Sequence, residues 1–251
     1  AGARVLETNT FGASSIVLAE YGLADKTVEI NRAAVTNARA AIGDRTGCYV
    51  VGSIGPTTKL PSLNHISVDD LSASLAEQIR ALAEAGVDAL AIETCQDLLQ
   101  VKVALVVCFE VLEELGRELP VLVSVTMERQ GTMLVGSDIA AICATLEPFP
   151  IFSLGLNCAT GPSDMASHIR YLGHNWPQRI SCMPNQGLPE VVNGKTHYPM
   201  TPEDFARHMC QFIERDGVSI VGGCCGTTPE HIRQLIAACS GLVPAGREVT
   251  K

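Results

Sequence analysis

The sequence predicts an α/β fold in which strand–helix units repeat around a parallel sheet, and three observations lead there. Short β-branched runs alternate with longer amphipathic ones, giving seven strand–helix pairs with no composition break between them. The length of 251 residues suits one large domain. Polar residues gather at the C-terminal ends of the expected strands, at Glu7-Thr8-Asn9, Glu93-Thr94-Cys95, Glu128, Asn157-Cys158, Asn185 and Cys224-Cys225. Seven pairs leave two architectures: an open doubly wound sheet, or a (β/α)8 barrel of the TIM type with one βα unit outside this chain. The turn after the first strand, Thr10-Phe11-Gly12-Ala13-Ser14, is a poor glycine-rich nucleotide loop. A barrel mouth, by contrast, is where polar strand ends collect.

In chain order, strands are expected at residues 4–8, 49–54, 89–93, 121–127, 151–157, 179–183 and 219–222. Helical runs at 31–42, 97–115, 137–146 and 163–172 separate them. Ser67 is placed to cap a further helix with Asp70 three residues on. Leu71, Leu75, Ile79 and Leu82 then share one face before Gly86 ends it. Thr201-Pro202 and Thr228-Pro229 repeat one start signal, a hydroxyl cap followed by proline in the first turn. They lead into Phe205, Met209 and Phe212, and into Ile232, Leu235 and Ile236.

Composition excludes several function classes. The 18 Lys+Arg against 27 Asp+Glu give a net charge of -9, the wrong sign for nucleic acid or an anionic membrane surface. The longest apolar helical run, 103–109, is far short of the ~20 residues that cross a bilayer. Residues 1–10 lack a basic start, an apolar core and a cleavage site, so no secretory signal is expected there. Ten cysteines scattered along a chain of this size do not form a disulfide framework, so a reducing, cytoplasmic setting is expected. A chain this long buries roughly 70–75% of its unfolded surface, so a metal here serves function rather than folding.

Cys224 and Cys225 end the last expected strand in Gly222-Gly223-Cys224-Cys225-Gly226-Thr227-Thr228-Pro229. Adjacent strand residues point to opposite faces, so both reach one metal only where the backbone leaves the pleat. The three glycines permit that. Cys158 ends the expected strand two places earlier, near enough for ~2.3 Å Zn–S bonds to close the gap. A vicinal disulfide, or burial as small hydrophobes, are the alternatives for these residues. The other seven cysteines have no paired spacing and are read as core, and the six histidines have no ligand spacing. Three protein sulfurs with an open fourth position describe a catalytic zinc. Such a site ionises an incoming thiol and suits thiol alkylation.

Five motifs together resemble the homocysteine S-methyltransferase family. They are Glu7-Thr8-Asn9-Thr10-Phe11-Gly12, Gly52-Ser53-Ile54-Gly55-Pro56, Leu156-Asn157-Cys158-Ala159-Thr160-Gly161-Pro162, Pro184-Asn185-Gln186-Gly187 and the Cys224-Cys225 run. Within the family they are most similar to the homocysteine-binding domain of cobalamin-dependent methionine synthases. The resemblance runs from about Arg4 to Ala238 and implies a (β/α)8 barrel with zinc on Cys158, Cys224 and Cys225. It further implies that homocysteine binds through its sulfur and takes a methyl group, yielding methionine, and that Glu128 stands beside the ammonium group of the substrate. Asn9, Asn157 and Asn185 are the further candidate substrate contacts, while Glu93 is assigned no role. Residues 1–239 are read as the zinc barrel domain and 240–251 as a polar linker or tail. In the family a strand, an Asp-Gly-rich turn and a helix precede the Glu-Thr-Asn run, so the barrel is expected to be N-terminally incomplete in this chain. The missing turn is expected to hold part of the amino acid.

Methylcobalamin, on another domain or chain, is the expected donor, with cobalamin- and folate-binding domains as partners. Two alternatives stay open: a free-standing enzyme using S-methylmethionine, S-adenosylmethionine or betaine, and a non-catalytic zinc- or thiol-binding module or inactive fragment.

Overall fold

The computed structural model describes residues 1–192 and 194–249. Two compact units divide the chain: residues 4–123 with 149–151, and residues 1–3, 124–148 and 152 onwards.

The first unit opens with β1 (Val5–Glu7), a short α1 (Ser15–Ala19), α2 (Thr27–Ile42) and β2 (Tyr49–Ile54). It continues through α3 (Val68–Glu84), β3 (Ala89–Cys95), α4 (Leu98–Glu114) and the start of β4 (Val121–Val125). β1 pairs parallel with β2, Val5 opposite Tyr49, and β2 pairs parallel with β3, Val51 opposite Ala89. Val50, Leu90 and Ile92 are fully buried, as expected for strands covered on both faces. α3 follows its sequence signals: the Ser67 side chain accepts from the Asp70 amide, and Leu71, Leu75, Ile79 and Leu82 are buried. Gly86, at φ +89°, turns the chain out of the helix. Buried polar side chains tie down the loop after β1. Gln78 Nε2 donates to Thr10 O at 2.8 Å, Asn31 Nδ2 donates to Ala13 O at 2.8 Å, and the Thr10 hydroxyl donates to Ser53 O at 2.6 Å.

The second unit takes the end of β4, then α5 (Ile139–Leu146), β5 (Ser153–Asn157), α6 (Pro162–Asn175) and β6 (Arg179–Met183). A hairpin of β7 (Glu190–Val192) and β8 (Lys195–His197) precedes α7 (Pro202–Asp216), β9 (Ile220–Val221) and α8 (Pro229–Cys239). β5 runs parallel to β6, Ser153 opposite Arg179, and β6 parallel to β9, Cys182 opposite Val221. Gly155 is required in β5, because a Cβ there would stand 2.0 Å from the Ser181 hydroxyl oxygen. Residues after α8 return to this unit: the Ala245 amide donates to Ile213 O at 2.9 Å, and Arg247 donates to Trp176 O at 2.7 Å and to Gln178 O. Thr250 and Lys251 of the expected tail lie outside the described residues.

The sheet order is β1-β2-β3-β4-β5-β6-β9, which follows the chain without reversal. A doubly wound sheet reverses its strand order, so the alternation is that of a TIM-type α/β barrel, with seven sheet strands among the described residues. Every expected strand is present, but the spans differ where side chains stop alternating. The 121–127 run ends at Val125, and the 219–222 run shrinks to Ile220–Val221, ahead of Gly222-Gly223. The helix expected at 31–42 starts four residues earlier, at Thr27. The hairpin 190–197 and the five-residue α1 were not expected; both are too short to show a period. No helix among the described residues is long and apolar enough to cross a membrane.

Candidate metal centre

Three loops at strand C-termini in the second unit build the site. After β5, the chain breaks the pleat at Cys158 and Ala159, which adopt left-handed φ values of 61° and 57°. Such values are costly outside glycine and persist only where the surroundings impose them. Here the Cys158 amide donates to Met183 O at 3.2 Å and the Thr160 amide to Cys158 O at 2.7 Å. The second loop follows β6: the Asn185 amide donates to Thr160 O at 3.1 Å, joining the first two loops. Their approach requires glycine, since a Cβ on Gly161 would lie 2.8 Å from Gly187 Cα. The third loop leaves β9 at Val221, so Cys224 and Cys225 stand in a turn rather than a strand. The Thr227 amide donates to Cys224 O at 3.1 Å, and Gly226 takes φ +79°.

The geometry brings the three cysteine sulfurs within 4.8 Å of one another. Cys158 Sγ and Cys225 Sγ are 3.7 Å apart. Two ligands on a tetrahedral ion with ~2.3 Å Zn–S bonds stand about 3.8 Å apart, so this spacing fits zinc. All ten cysteines are free, Cys224 and Cys225 included, which sets aside the vicinal disulfide.

The thiols are electrostatically linked. A hydrogen bond from Cys224, with others from the Ala159 amide, Cys225 and Asn185, holds the Cys158 thiol down at about 6 against the opposing effect of burial. Cys224 is pushed up, first by the hydrogen bond it gives Cys158 and then by burial and the neighbouring sulfurs; Cys225 is pushed up by burial and by the charge on Cys158. One sulfur ionises readily and its charge opposes ionisation of the other two. A divalent cation offsets that repulsion and makes three thiolates compatible.

Asn185 is 4% exposed, and its Oδ1 accepts from the Cys225 amide at 3.1 Å. Asn157 is buried at the end of β5, where its Oδ1 accepts from the Ser124 hydroxyl at 2.7 Å. Glu128 is half-buried in a tight turn after β4, its amide donating to Thr132 O at 2.8 Å. Asn9 belongs to the first unit, where it lines an open cleft with Glu7, Ile30 and Asn37. Of the seven candidate site residues, the three cysteines are brought together and Asn185 is bonded to one of them, Cys225.

Other groups escaped the sequence reading. Tyr198 follows β8 and lays its ring against Gly226, beside Cys225; burial first, and then the neighbouring sulfurs, push its hydroxyl up. No spacing rule joins it to the cysteines. Cys210 and Cys239, distant in sequence, bring their sulfurs to 3.5 Å across α7 and α8. In the first unit the Ser53 hydroxyl donates to the Glu93 carboxylate. Glu7 is raised to about 7 by the protein around it and by the Glu93 charge, although part of its side chain meets solvent.

A family model described as homocysteine S-methyltransferase matches residues 1–239. The methionine synthase of Mycobacterium leprae (strain TN) is 42% identical over 259 residues, covering 100% of this chain and 22% of that protein. The methionine synthase of Mycobacterium tuberculosis (strain ATCC 25618 / H37Rv) is 40% identical over 255 residues, covering 100% of this chain and 21% of that protein. The chain thus spans about a fifth of the length of these relatives. Among solved structures, the metallated form of the homocysteine methyltransferase MmuM from Escherichia coli superposes with a TM-score of 0.71 at 24% identity, covering 94% of this chain and 80% of that one. That likeness supports the barrel fold.

Proposed function

The chain belongs to the homocysteine S-methyltransferase family, and from that premise we propose that it activates homocysteine for methyl transfer, giving methionine, as part of a cobalamin-dependent methionine synthase. The observation that carries this reading is the convergence of three cysteine sulfurs from two separate loops within 4.8 Å.

Cys158, Cys224 and Cys225 are the proposed zinc ligands. Zinc bound there would supply the positive charge that lets a substrate thiol lose its proton and act as a sulfur nucleophile. Asn185 fixes the turn of Cys225 by accepting from its amide, and its own amide ties the loop to Thr160 beside Cys158. Asn157, secured by Ser124, holds the end of the strand from which Cys158 departs. Glu128 is the proposed partner of the substrate ammonium group, with Asn9 a further polar contact. The methyl donor is methylcobalamin carried on another domain or chain, and the partners are cobalamin- and folate-binding domains. The proposed setting is the cytoplasm, where thiols stay reduced.

Methyl transfer from free methylcobalamin to homocysteine, followed as methionine formed with and without zinc, tests the proposal. Zinc-dependent methionine production is expected, at a rate above that with S-methylmethionine, S-adenosylmethionine or betaine. A zinc-loaded, folded chain that turns over no donor would leave only a thiol- or metal-binding module.

A further inference from the structure

Away from the three-sulfur centre, the second unit brings another two sulfurs together. Cys210 lies in the middle of α7 and Cys239 ends α8, and their sulfurs are 3.5 Å apart. Contacts on both sides of this pair keep the two helices in register. At the start of α8, His231 is 3% exposed and stands edge-on to the Phe205 ring of α7, the ring centroids 5.8 Å apart. Beyond the end of α8, the Leu242 amide donates to Cys239 O at 3.1 Å and the Ala245 amide to Ile213 O of α7 at 2.9 Å. Met209 and Phe212 of α7 and Leu235 of α8 are buried. Cys210 and Cys239 are free and only half-buried, so a small reagent in solution has access to them.

We propose that Cys210 and Cys239 are a redox-active dithiol, which a low-molecular-weight disulfide oxidises to a reversible cross-link between α7 and α8. An S–S bond is about 2.05 Å long, so closure brings the sulfurs together by about 1.5 Å, a shift that side-chain rotation supplies with the helices in place. The chemistry is thiol–disulfide exchange. Burial first, and then the hydrogen bond with Cys210, push the Cys239 thiol up to about 12, so the first attack falls to Cys210. Its thiolate attacks one sulfur of the reagent, forming a mixed disulfide and releasing the other half as a thiolate, which takes up the proton that Cys210 lost. Cys239 then gives its proton to solvent and attacks the Cys210 sulfur, and the second half of the reagent leaves as a thiolate and is protonated. Two protein S–H bonds and one reagent S–S bond become one protein S–S bond and two reagent S–H bonds; the protein loses two electrons and the reagent gains them. In a reducing setting the pair rests as thiols, and the cross-link forms when small disulfides accumulate. Once closed, it restricts the unfolded chain and staples α8 to α7.

Peptide mapping after oxidation tests this. The full chain is incubated with oxidised glutathione, its remaining thiols are alkylated, and it is digested with trypsin without reductant. Cleavage after Arg207, Arg215, Arg233 and Arg247 leaves Cys210 and Cys239 on separate peptides, neither of which carries Cys224 or Cys225. The expected product is peptide 208–215 joined to peptide 234–247 and released by dithiothreitol. The oxidised chain is expected to melt about 5–10 °C above the reduced one. Cys239→Ser should keep glutathione on Cys210, and Cys210→Ser, folded by circular dichroism, should lose both the cross-link and the thermal shift. Recovery of Cys210 and Cys239 as separately alkylated peptides, or joined to other cysteines, overturns the proposal. A thermal shift of equal size in Cys210→Ser would belong to other cysteines and overturn the stapling of α8 to α7.

Discussion

Cys158 shows how local chemistry at one position sets up the site. Its left-handed backbone aims the sulfur away from the strand direction, and hydrogen bonds from Cys224 and the Ala159 amide favour its thiolate. None of this is visible in a residue string, where Asn157-Cys158-Ala159 reads as the end of a strand. What was legible was the type and spacing of the donors: Cys224-Cys225 among glycines, and one cysteine ending an earlier strand. Glu7 gives a second prediction at this scale. Its folded value is raised to about 7 from an ordinary 4.5, so the native state holds a proton that the unfolded chain releases. Stability should therefore fall as pH rises through the window from 4.5 to about 7, and the penalty is complete above it. Glu7→Gln is expected to raise the thermal midpoint at pH 8 while changing it little at pH 4. An equal shift at both pH values would contradict the assignment.

At the scale of elements, the helices were the most legible part. α3 shows why: its cap, buried face and terminating glycine are all encoded within about twenty residues of sequence. The strands were legible in number but not in extent, because pairing partners decide where a strand stops. The 190–197 hairpin was not legible, since three-residue strands carry no usable period, and its loss from the sequence reading hid Tyr198 as well. β5 offers the element-scale prediction. Gly155 lies where any side chain meets Ser181 in β6, with the loop of Cys158 directly above. Gly155→Ala should cost about 1–3 kcal/mol through overpacking, read as a lower urea midpoint. An unchanged midpoint would mean that β5 and β6 are not in the close register described.

For the whole molecule, the monotonic strand order decides between the two architectures that the seven-fold alternation left open. The alternation alone could not do so, because both folds bury parallel strands behind helices; the polar strand ends and the family motifs had pointed to the barrel, and the strand order bears that out. The acidic balance, net charge -9, disfavours a polyanionic partner. The chain spans about a fifth of the length of the curated relatives it matches. Zinc content is the most direct measure of the central claim. Wild type, Cys158→Ala, Cys224→Ala and Cys225→Ala are each loaded, dialysed against a weak chelator and analysed for metal, with circular dichroism in parallel. The account predicts about one zinc per wild-type chain and loss of zinc in each variant with the secondary structure largely kept. Full zinc retention in all three variants would contradict it.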